Sequence, residues 1–470
     1  MSVSVLELNS TYTVEEMVAC FRDVPFLLLL DSAAHHRARD ARYSILTADP
    51  VAVERIDRAE FGSAPFARLA EWQSQLQTLD CQGSGLPPFC GGIAGLLSYE
   101  LGEAFERLPR PQQDHLQTPA LLAGLFDWAL ILDHLQDRLL LATLQLPGSL
   151  CGPMSSPQRQ DWVQQRLRLG PVAAPPPLQP TALPGAGFQR IEPTSQVYSE
   201  FSRDEYVATV QRVIEYIRAG DIFQANLSQR LIAPWNSDAV QLYHSLRVQN
   251  PAPFCGLLVH DDVSVISASP ERFLYVNAAG GVETRPIKGT RRRLKSPVAD
   301  LFAGDALHAS EKDRAENVMI VDLLRNDLSR SCAVGSVRVT GLCEIERFAT
   351  ILHLVSTVCG QLSEDRTVWD LLTGSFPGGS ITGAPKIRAM EIIAELERST
   401  RGAYCGSLFY LGPQGDFDSS ILIRTFTLRH GWLHFPVGGG IVADSDPLDE
   451  YRETLHKASG LIRALRAAQG

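Results

Sequence analysis

Several features are missing from this sequence of 470 residues, and each absence narrows the possible functions. Apolar runs such as Phe26 to Leu30 are far shorter than the roughly 20 residues that a helix needs to span a bilayer. The segment Met1 to Ser10 has no basic stretch before an apolar one, so it does not resemble a secretory signal. We therefore expect a soluble cytoplasmic protein without a membrane segment.

Dense basic clusters are also missing. The 43 Lys and Arg residues are outnumbered by 53 Asp and Glu residues, which gives a net charge of −10. No basic block is longer than the one from Arg291 to Arg293. Proteins that bind nucleic acids usually carry a concentrated basic surface, so this composition argues against a nucleic-acid partner.

The cysteines do not form a recognisable framework. There are nine of them, an odd number, scattered from Cys20 to Cys405, and no two have CxxC spacing. This distribution argues against both a disulfide framework and a zinc site. We expect reduced thiols that are mostly buried.

Prolines are concentrated in one part of the chain. Ten of the 29 prolines lie between Pro147 and Pro193. The concentration indicates a connector over residues 146–200, between an N-terminal region of residues 1–145 and a C-terminal region of residues 201–465. A loop inserted into one domain would give the same pattern.

Strand-like and helical patterns both occur, without strict βαβ alternation. Two apolar runs, Trp128 to Leu132 and Arg138 to Thr143, flank a polar turn and predict a β-hairpin. A capping signal at Ser202 opens an amphipathic pattern that stops at Gly220, which predicts a helix. No GxGxxG or GxxxxGK[ST] motif is present. We therefore expect an α+β fold, with antiparallel β-sheets packed against each other and flanked by helices.

Two further predicted helices each carry a pair of carboxylates. Asp313 and Glu316 are three residues apart, as are Glu450 and Glu453, so the members of each pair share a helical face. Acidic pairs at this spacing usually face solvent. Two such pairs can also converge on a hard cation such as Mg²⁺. On the first helix, the predicted buried face consists of Val318, Ile320, Val321 and Leu324.

Two glycine-rich stretches and one lysine suggest an anionic small substrate. The stretches at residues 376–386 and 437–441 are predicted turns whose backbone N–H groups could approach an anion. Lys288 follows a strand-like run and has apolar and glycine neighbours. In a closed pocket near Arg285, its pKa would fall and its amine could act as a nucleophile. Structural glycines and a surface lysine in a turn are the alternatives.

Taken together, several motifs resemble the chorismate-binding family, which includes anthranilate, aminodeoxychorismate, isochorismate and salicylate synthases. In the family's order, the matching motifs lie at Ser269–Phe273, Thr284–Thr290, Lys312–Asn317, Asp322–Asp327, Pro377–Lys386 and Gly438–Ser445. They cover nearly all of the C-terminal region. Residues 29–32 and 42–46 are similar to the N-terminal part shared by the two amine-forming members.

The resemblance implies a magnesium-dependent allylic substitution on the chorismate ring. Lys288 would attack C2 as the C4 hydroxyl leaves, Glu271 would act as general acid and base, and His353 would lie near the departing hydroxyl. Four carboxylates are implied as Mg²⁺ ligands or their neighbours: Glu316, Glu453, Asp313 and Glu450. The residues implied to bind the two substrate carboxylates are Arg424, Lys457, Thr382, Gly438, Gly439 and Gly440.

Two positions distinguish the reactions within the family. Members that add water use a lysine where this chain has Gln224. Anthranilate synthases typically have alanine where this chain has Lys288, and the lysine is typical of aminodeoxychorismate synthase component I. The resemblance therefore implies formation of 4-amino-4-deoxychorismate for para-aminobenzoate and folate synthesis. Anthranilate synthesis is the nearest alternative, and an inactive, tryptophan-sensing or scaffold subunit is a further one.

Two further binding partners follow from the resemblance. No cysteine lies in a glutaminase-type nucleophile motif, so a separate glutamine amidotransferase subunit is expected to supply ammonia. Relatives hold tryptophan in an N-terminal pocket, either as an inhibitor or as a structural ligand. The corresponding residues in this chain are Ser32, Arg42, Tyr43, Pro253, Phe254 and Cys255.

Overall fold

The structure is a computed structural model of the chain. It describes residues 2–9, 12–34, 41–79, 85–150, 152–176, 180, 187–192, 196–293, 296–347 and 351–469. Within these residues, none of the helices is both long enough and apolar enough to cross a membrane.

Ten α-helices occur in the described residues. They are α1 (Val14–Phe21), α2 (Ala67–Leu76), α3 (Ser156–Leu169), α4 (Arg203–Ala219), α5 (Ala239–Gln249), α6 (Pro297–His308), α7 (Glu311–Ser329), α8 (Val368–Ser375), α9 (Lys386–Leu396) and α10 (Pro447–Gln469). Short 3₁₀ turns cover Tyr99–Ala104, Gly148–Leu150 and Gly379–Ile381.

The same residues form β-strands along almost the whole length of the chain. They are β1 (Val3–Leu8), β2 (Leu27–Asp31), β3 (Tyr43–Thr47), β4 (Ala52–Ile56), β5 (Gly92–Leu97), β6 (Leu121–Phe126), β7 (Trp128–Asp133), β8 (Arg138–Leu144), β9 (Gln189–Arg190), β10 (Tyr198–Ser199), β11 (Gln224–Gln229), β12 (Leu231–Pro234), β13 (Phe254–His260), β14 (Val263–Ser269), β15 (Arg272–Val276), β16 (Gly281–Thr284), β17 (Ile287–Arg292), β18 (Arg338–Arg347), β19 (Ile351–Gln361), β20 (Gly383–Ala384), β21 (Ser407–Leu411), β22 (Phe417–Ser420), β23 (Thr425–Arg429), β24 (Trp432–His434) and β25 (Val437–Ile441).

These strands form two large sheets and one small one. The first large sheet has the order β1-β8-β7-β3-β2-β13-β14-β23-β24-β12-β10-β9. The second has the order β17-β19-β16-β15-β22-β21-β5-β6-β4, with β18 also paired to β19. A three-stranded sheet has the order β20-β11-β25. The strands pair antiparallel, as between β2 and β13 and between β5 and β21, so the predicted α+β class with antiparallel sheets is confirmed.

The main core lies between the two large sheets. It contains Leu28 and Val265 from the first sheet and Ile93 and Phe409 from the second, each almost fully buried. A second core covers the other face of the first sheet and contains Trp128 together with buried residues of α1, α3, α5 and α10. Burial of this apolar surface is the main favourable contribution to folding.

Both large sheets combine strands from the two sides of the proline-rich stretch. Strand β2 pairs with β13, and β5 pairs with β21, so residues 1–145 and 201–465 share their sheets. The stretch at residues 146–200 also contains α3, whose Val163 and Leu167 are buried in the second core. Sequence patterning did not predict this helix. The stretch therefore does not separate two sheet systems.

The local predictions are largely confirmed. Strands β7 and β8 form the predicted hairpin, and α4 begins after a capping box at Ser202 and ends at Gly220, which has a φ of 84°. Helix α7 begins after Ser310, as expected. One assignment on α7 is wrong, because Val318 is 46% exposed and the fully buried polar side chain of Asn317 faces inward instead.

Candidate active site

Lys288 lies on β17, at the end of the second large sheet. Its side chain is partly buried, and its Nζ donates a hydrogen bond to the carbonyl oxygen of Ser380 at 3.1 Å. Burial lowers the pKa of Lys288, although the negative charges of Glu316 and Glu271 oppose this effect. A lowered pKa increases the fraction of neutral amine, which is the nucleophilic form. Lys288 is therefore not a freely exposed surface lysine.

Glu271 occupies the junction between β14 and β15 and is only 5% exposed. Its backbone N–H donates a hydrogen bond to the hydroxyl of Ser269 at 3.2 Å, which fixes the chain at this point. Burial raises the pKa of Glu271, while Ser380 and Lys288 partly offset this by stabilising the carboxylate. A carboxyl group in this setting keeps its proton to higher pH, so it can serve as a general acid.

His353 lies on β19 and is 1% exposed. Its Nδ1 is 2.9 Å from the hydroxyl oxygen of Thr290. Burial, assisted by the positive charge of Arg424, lowers the pKa of His353 to about 3. The imidazole is therefore neutral near pH 7, so His353 can form hydrogen bonds but cannot serve as a cationic acid at that pH.

The two predicted carboxylate pairs lie on α7 and α10. On α7, burial raises the pKa of Glu316, and the nearby carboxylates of Asp313 and Glu450 add to this rise, whereas Lys288 and Lys312 oppose it. Lys312 on α7 lies 3.6 Å from Glu450 on α10, so the two helices are adjacent here. Glu316 is partly buried and not fully exposed to solvent.

Each of the other three carboxylates has a polar partner. Asp313 accepts a bond from Arg291 at 3.1 Å and lies at the edge of the site. Glu450 is 5% exposed and accepts a hydrogen bond from Ser445 at 2.7 Å. Burial alone would raise the pKa of Glu453, but Lys457, with its Nζ at 2.8 Å, holds that pKa below its usual value.

The carboxylates of α10 meet beside the small sheet. A Cβ atom placed on Gly439 would lie 3.3 Å from Glu450 Oε2 and 3.6 Å from Glu453 Oε1. Oxygen-only donors of this kind suit Mg²⁺. In the part of the chain that the structure describes, however, no three His, Cys, Asp or Glu side chains are already arranged as a metal site.

The stretch at residues 437–441 is not the turn that the sequence suggested. It forms β25, an extended strand that pairs with β11, and α10 begins only at Pro447. Its glycines allow close packing, because a Cβ on Gly438 would lie 2.5 Å from the Leu227 carbonyl oxygen and one on Gly440 would overlap the Gln224 amide. The prediction of a second glycine turn before the helix was therefore wrong.

The other residues assigned to substrate binding lie on different elements. Lys457 Nζ donates a hydrogen bond to the carbonyl oxygen of Gly438 at 2.9 Å. Arg424 has a φ of 53°, and burial lowers the pKa of its guanidinium despite the nearby Glu271. Thr382 is fully buried, and its hydroxyl donates to the carbonyl oxygen of Gly378 at 3.1 Å. The hydroxyl of Thr382 therefore already has an acceptor within its own turn.

Two polar residues of the site were not predicted from the sequence. The carbonyl of Ser380 binds Lys288, and its side chain stabilises the carboxylate of Glu271. Lys312 Nζ lies 3.6 Å from Glu450. Both residues lie within the family motifs, but only the fold indicates which of their atoms face the site.

A separate cavity of about 350 Å³ opens between the two large sheets. All six residues of the predicted tryptophan pocket line it, namely Ser32, Arg42, Tyr43, Pro253, Phe254 and Cys255. Its wall also includes Arg272, which lies 5.2 Å over the ring of Phe254. The cavity therefore combines aromatic and charged surfaces.

A buried acid, a lysine of lowered pKa and carboxylates from two adjacent helices therefore occur together on this antiparallel frame. Such groupings of titratable residues with shifted pKa values are typical of enzyme sites. Residues 27–463 match the family model described as chorismate binding enzyme. The chain belongs to the family of chorismate-binding enzymes.

Relatives from two branches of the family are similarly close. Aminodeoxychorismate synthase component 1 of Klebsiella aerogenes is 42% identical over 380 residues, covering 81% of this chain and 78% of the relative. Anthranilate synthase component 1 of Thermus thermophilus is 42% identical over 384 residues, covering 82% and 79%. The crystal structure of anthranilate synthase component I from Streptococcus pneumoniae has a TM-score of 0.74 at 30% identity, covering 90% of this chain and 93% of that one. Overall similarity therefore does not separate the two reactions.

Proposed function

We propose that this chain converts chorismate and ammonia into 4-amino-4-deoxychorismate and water. The observation that carries the proposal is that Lys288 donates a hydrogen bond to the Ser380 carbonyl at 3.1 Å, while the side chain of the same Ser380 bonds the buried acid Glu271. An amine nucleophile next to a proton donor suits a substitution in two steps. The similarity to aminodeoxychorismate synthase component 1 supports this assignment, although anthranilate synthesis has comparable support from overall identity.

In the first step, the neutral amine of Lys288 forms a bond to C2 of chorismate. The ring double bond shifts, the C4–O bond breaks, and Glu271 gives its proton to the departing hydroxyl, which leaves as water. In the second step, ammonia forms a bond to C4, the double bond returns, and the C2–N bond to Lys288 breaks. Lys288 leaves as the neutral amine, and the proton lost by the new ammonium group on C4 returns to Glu271. No oxidant or reductant is required.

The groups that hold the substrate carry positive charge or N–H donors. Arg424, Lys457 and the backbone of Gly438 to Gly440 are proposed to bind the two carboxylates of chorismate. The lowered pKa of Arg424 reflects a buried guanidinium, and a buried cation gains most when an anion arrives. His353 is neutral and hydrogen-bonded to Thr290, so it would orient the leaving hydroxyl by a hydrogen bond and would not act as a cationic acid.

The converging carboxylates are proposed to hold Mg²⁺. Glu316 and Glu453 would be the ligands, with Asp313 and Glu450 as neighbouring carboxylates. Bound Mg²⁺ would neutralise a substrate carboxylate and hold it in place. On binding, Glu453 would exchange its present contact with Lys457 for the cation.

Removal of divalent cations with EDTA is expected to abolish turnover, and added Mg²⁺ should restore it. Glu316→Gln should raise the Mg²⁺ concentration for half-maximal activity by about tenfold or more, because a carboxylate ligand loses its charge. Glu311→Gln, at an exposed position on the same helix, is the matched control and should leave it unchanged. Equal Mg²⁺ requirements in both variants would contradict the assigned site.

Ammonia is proposed to come from a separate glutamine amidotransferase subunit. The relatives are named as component 1 of a synthase, which is consistent with an assembly of this kind. Free ammonium at high concentration should replace the partner in a test with the isolated chain.

The product identifies which reaction the chain performs. We would incubate the purified chain with chorismate, Mg²⁺ and ammonium, and identify products by mass spectrometry. The expected product is 4-amino-4-deoxychorismate, which keeps the enolpyruvyl group. Fluorescent anthranilate together with pyruvate would establish the alternative reaction, and no product would revive the inactive-subunit hypothesis.

The cavity between the large sheets is proposed to bind tryptophan. Its aromatic lining and its charged groups, including Asp31 and Arg42, suit an amino acid with an indole ring. Saturating tryptophan should raise the melting temperature, since a ligand that binds only the folded state stabilises it. If the amino acid is already bound, mass spectrometry of the denatured purified chain will detect it.

Phe254→Ala should abolish that thermal shift or the copurified tryptophan, because the variant removes an aromatic wall of the cavity. Phe223→Ala makes the same change at a residue that is 70% exposed and outside this cavity, so it serves as the control. Wild type without either signal, or equal signals in the two variants, would rule out tryptophan in this cavity.

A further inference from the structure

Arg401 has a fully enclosed guanidinium that binds two backbone segments of the active site. The residue is 3% exposed and follows α9. Its Nη1 donates to the carbonyl oxygen of Ile381 at 2.9 Å, and its Nη2 donates to that of Asn226 at 2.6 Å. These carbonyls belong to the glycine-rich turn after α8 and to β11. One side chain therefore joins two elements that are far apart in sequence.

A buried glutamate fixes the orientation of this guanidinium. Glu397 accepts hydrogen bonds from Arg401 Nε at 2.9 Å and from Nη2 at 2.7 Å. It also accepts bonds from the backbone N–H of Ser228 at 2.8 Å and from the Ser228 hydroxyl at 2.9 Å. Because the guanidinium is planar, this two-point contact sets the direction of its remaining N–H groups.

The backbone at Arg401 is itself held in place. The N–H of Arg401 donates to Glu100 Oε1 at 2.6 Å, and the N–H of Gly402 donates to Glu100 Oε2 at 2.9 Å. The guanidinium carbon lies 4.6 Å over the ring of Tyr99. Both ends of the arginine side chain are therefore constrained, as a rigid support requires.

The turn that Arg401 holds contains the residue that links the nucleophile and the acid. Ile381 directly follows Ser380, whose carbonyl accepts the hydrogen bond from Lys288 at 3.1 Å. The next residue, Thr382, accepts a hydrogen bond from the backbone N–H of Asn226 at 2.8 Å. A shift of this turn would therefore move the carbonyl that orients Lys288.

We propose that Arg401 is a positioning residue for the reaction, which acts by fixing the Ser380 turn against β11 and so aligns Lys288 with Glu271. This inference rests on the proposed function. Arg424 and Lys457, assigned to the substrate carboxylates, lie on other elements, next to β23 and on α10. Loss of the Arg401 bonds should therefore slow the chemical steps more than it weakens substrate binding.

The test compares two Arg→Lys variants in the full chain with chorismate, Mg²⁺ and ammonium. Lysine keeps the charge but cannot bridge two carbonyls and a carboxylate. Since small misplacements of reacting groups can cost about 100-fold in rate, Arg401→Lys should lower kcat by at least about tenfold. KM for chorismate should stay within about threefold of wild type.

Arg159→Lys is the matched control. Arg159 is 1% exposed, and its guanidinium also contacts carboxylates, with Nε 3.2 Å from Asp127 and Nη1 2.8 Å from Asp49. It lies on α3, so its loss should lower the melting temperature without changing kcat of the folded fraction. Glu397→Gln is the second test variant, and it should also lower kcat by at least about tenfold. It keeps the test available if Arg401→Lys does not fold.

The outcomes separate this inference from the proposed function. A wild type that turns over chorismate, with kcat of Arg401→Lys and Glu397→Gln reduced no more than in the control, overturns only the positioning role. A rise in KM without a fall in kcat also overturns it. A wild type that makes no aminodeoxychorismate overturns the proposed function, and the positioning role with it.

Discussion

Glu271→Gln is expected to lower kcat by a factor of about 10² to 10⁴, the usual contribution of a general acid or base. Glutamine keeps the size of the side chain and an oxygen that can accept hydrogen bonds, but it cannot deliver a proton to the leaving hydroxyl. Glu271 is 5% exposed, so water cannot readily replace it as a donor. Steady-state kinetics with chorismate and ammonium measure the change.

The pH dependence of activity is a second measurement that tests the role of Glu271. Burial raises the pKa of Glu271, so the acid remains protonated above the ordinary range of glutamate. The protonated fraction of Glu271 should fall as the pH rises through its pKa in the folded enzyme, so activity that needs this proton should decline on the high-pH side of the profile. The neutral amine required of Lys288 sets a separate limit on the low-pH side. Glu271→Gln should lack that decline in its residual activity.

A remote carboxyl group supplies the control for this prediction. Asp127 is 4% exposed, burial raises its pKa, and it binds Arg159 rather than any residue of the site. Asp127→Asn should reduce stability but leave kcat of the folded enzyme and its pH profile unchanged. A similar loss of kcat in both variants would mean that Glu271 has only a structural role.

The elements that sequence reasoning predicted correctly depend on short-range signals. The hairpin of β7 and β8 follows from two apolar runs around a turn, and α4 follows from the capping box at Ser202 and the stop at Gly220. Helix α10, one of the two helices predicted to carry a carboxylate pair, begins after Asp446, whose side chain accepts hydrogen bonds from two backbone N–H groups at 2.9 Å. Each signal lies within a few residues of the structure that it determines.

The missed features depend on contacts that are remote in sequence. The glycines at 438–440 suggested a turn, but their pairing partner β11 lies more than 200 residues earlier, so nothing local specified a strand. Val318 fits an apolar helical face, yet the neighbour packed against α7 receives Asn317 instead, which donates to the Leu354 carbonyl at 3.3 Å. Arg401 gave no signal because its acceptors, Ile381 and Asn226, are brought to it only by the fold.

The candidate site was predicted from motif resemblance, and the structure adds the burial and the hydrogen-bond partners of its residues. Ser380 contacts both Lys288 and Glu271, and His353 is neutral near pH 7 because burial lowers its pKa to about 3. The hydroxyl of Thr382 already donates a hydrogen bond to the Gly378 carbonyl within its own turn. These distinctions depend on burial and on hydrogen-bond partners, which a motif does not encode.

Lys288→Ala is expected to reduce formation of aminodeoxychorismate by at least about 100-fold at low ammonium, because the first bond to the ring can no longer form. The shorter side chain also leaves room beside Ser380 for ammonia to enter directly. High ammonium should therefore restore part of the activity in Lys288→Ala. It should not do so in Lys288→Arg, whose bulky, permanently charged guanidinium fills the space and is a poor nucleophile.

The covalent intermediate gives this prediction a readout that does not depend on rates. The sequence contains five lysines, so peptide mapping after rapid quenching can assign an adduct of chorismate minus water to one of them. Without ammonia, the added mass should appear on Lys288. Lys386 is the internal control, because it is also buried with a lowered pKa but donates to Asp327 at 2.6 Å and to the Ser375 carbonyl at 2.8 Å. An adduct on neither lysine, together with full activity of Lys288→Ala, would exclude covalent catalysis and favour direct attack of ammonia on the ring.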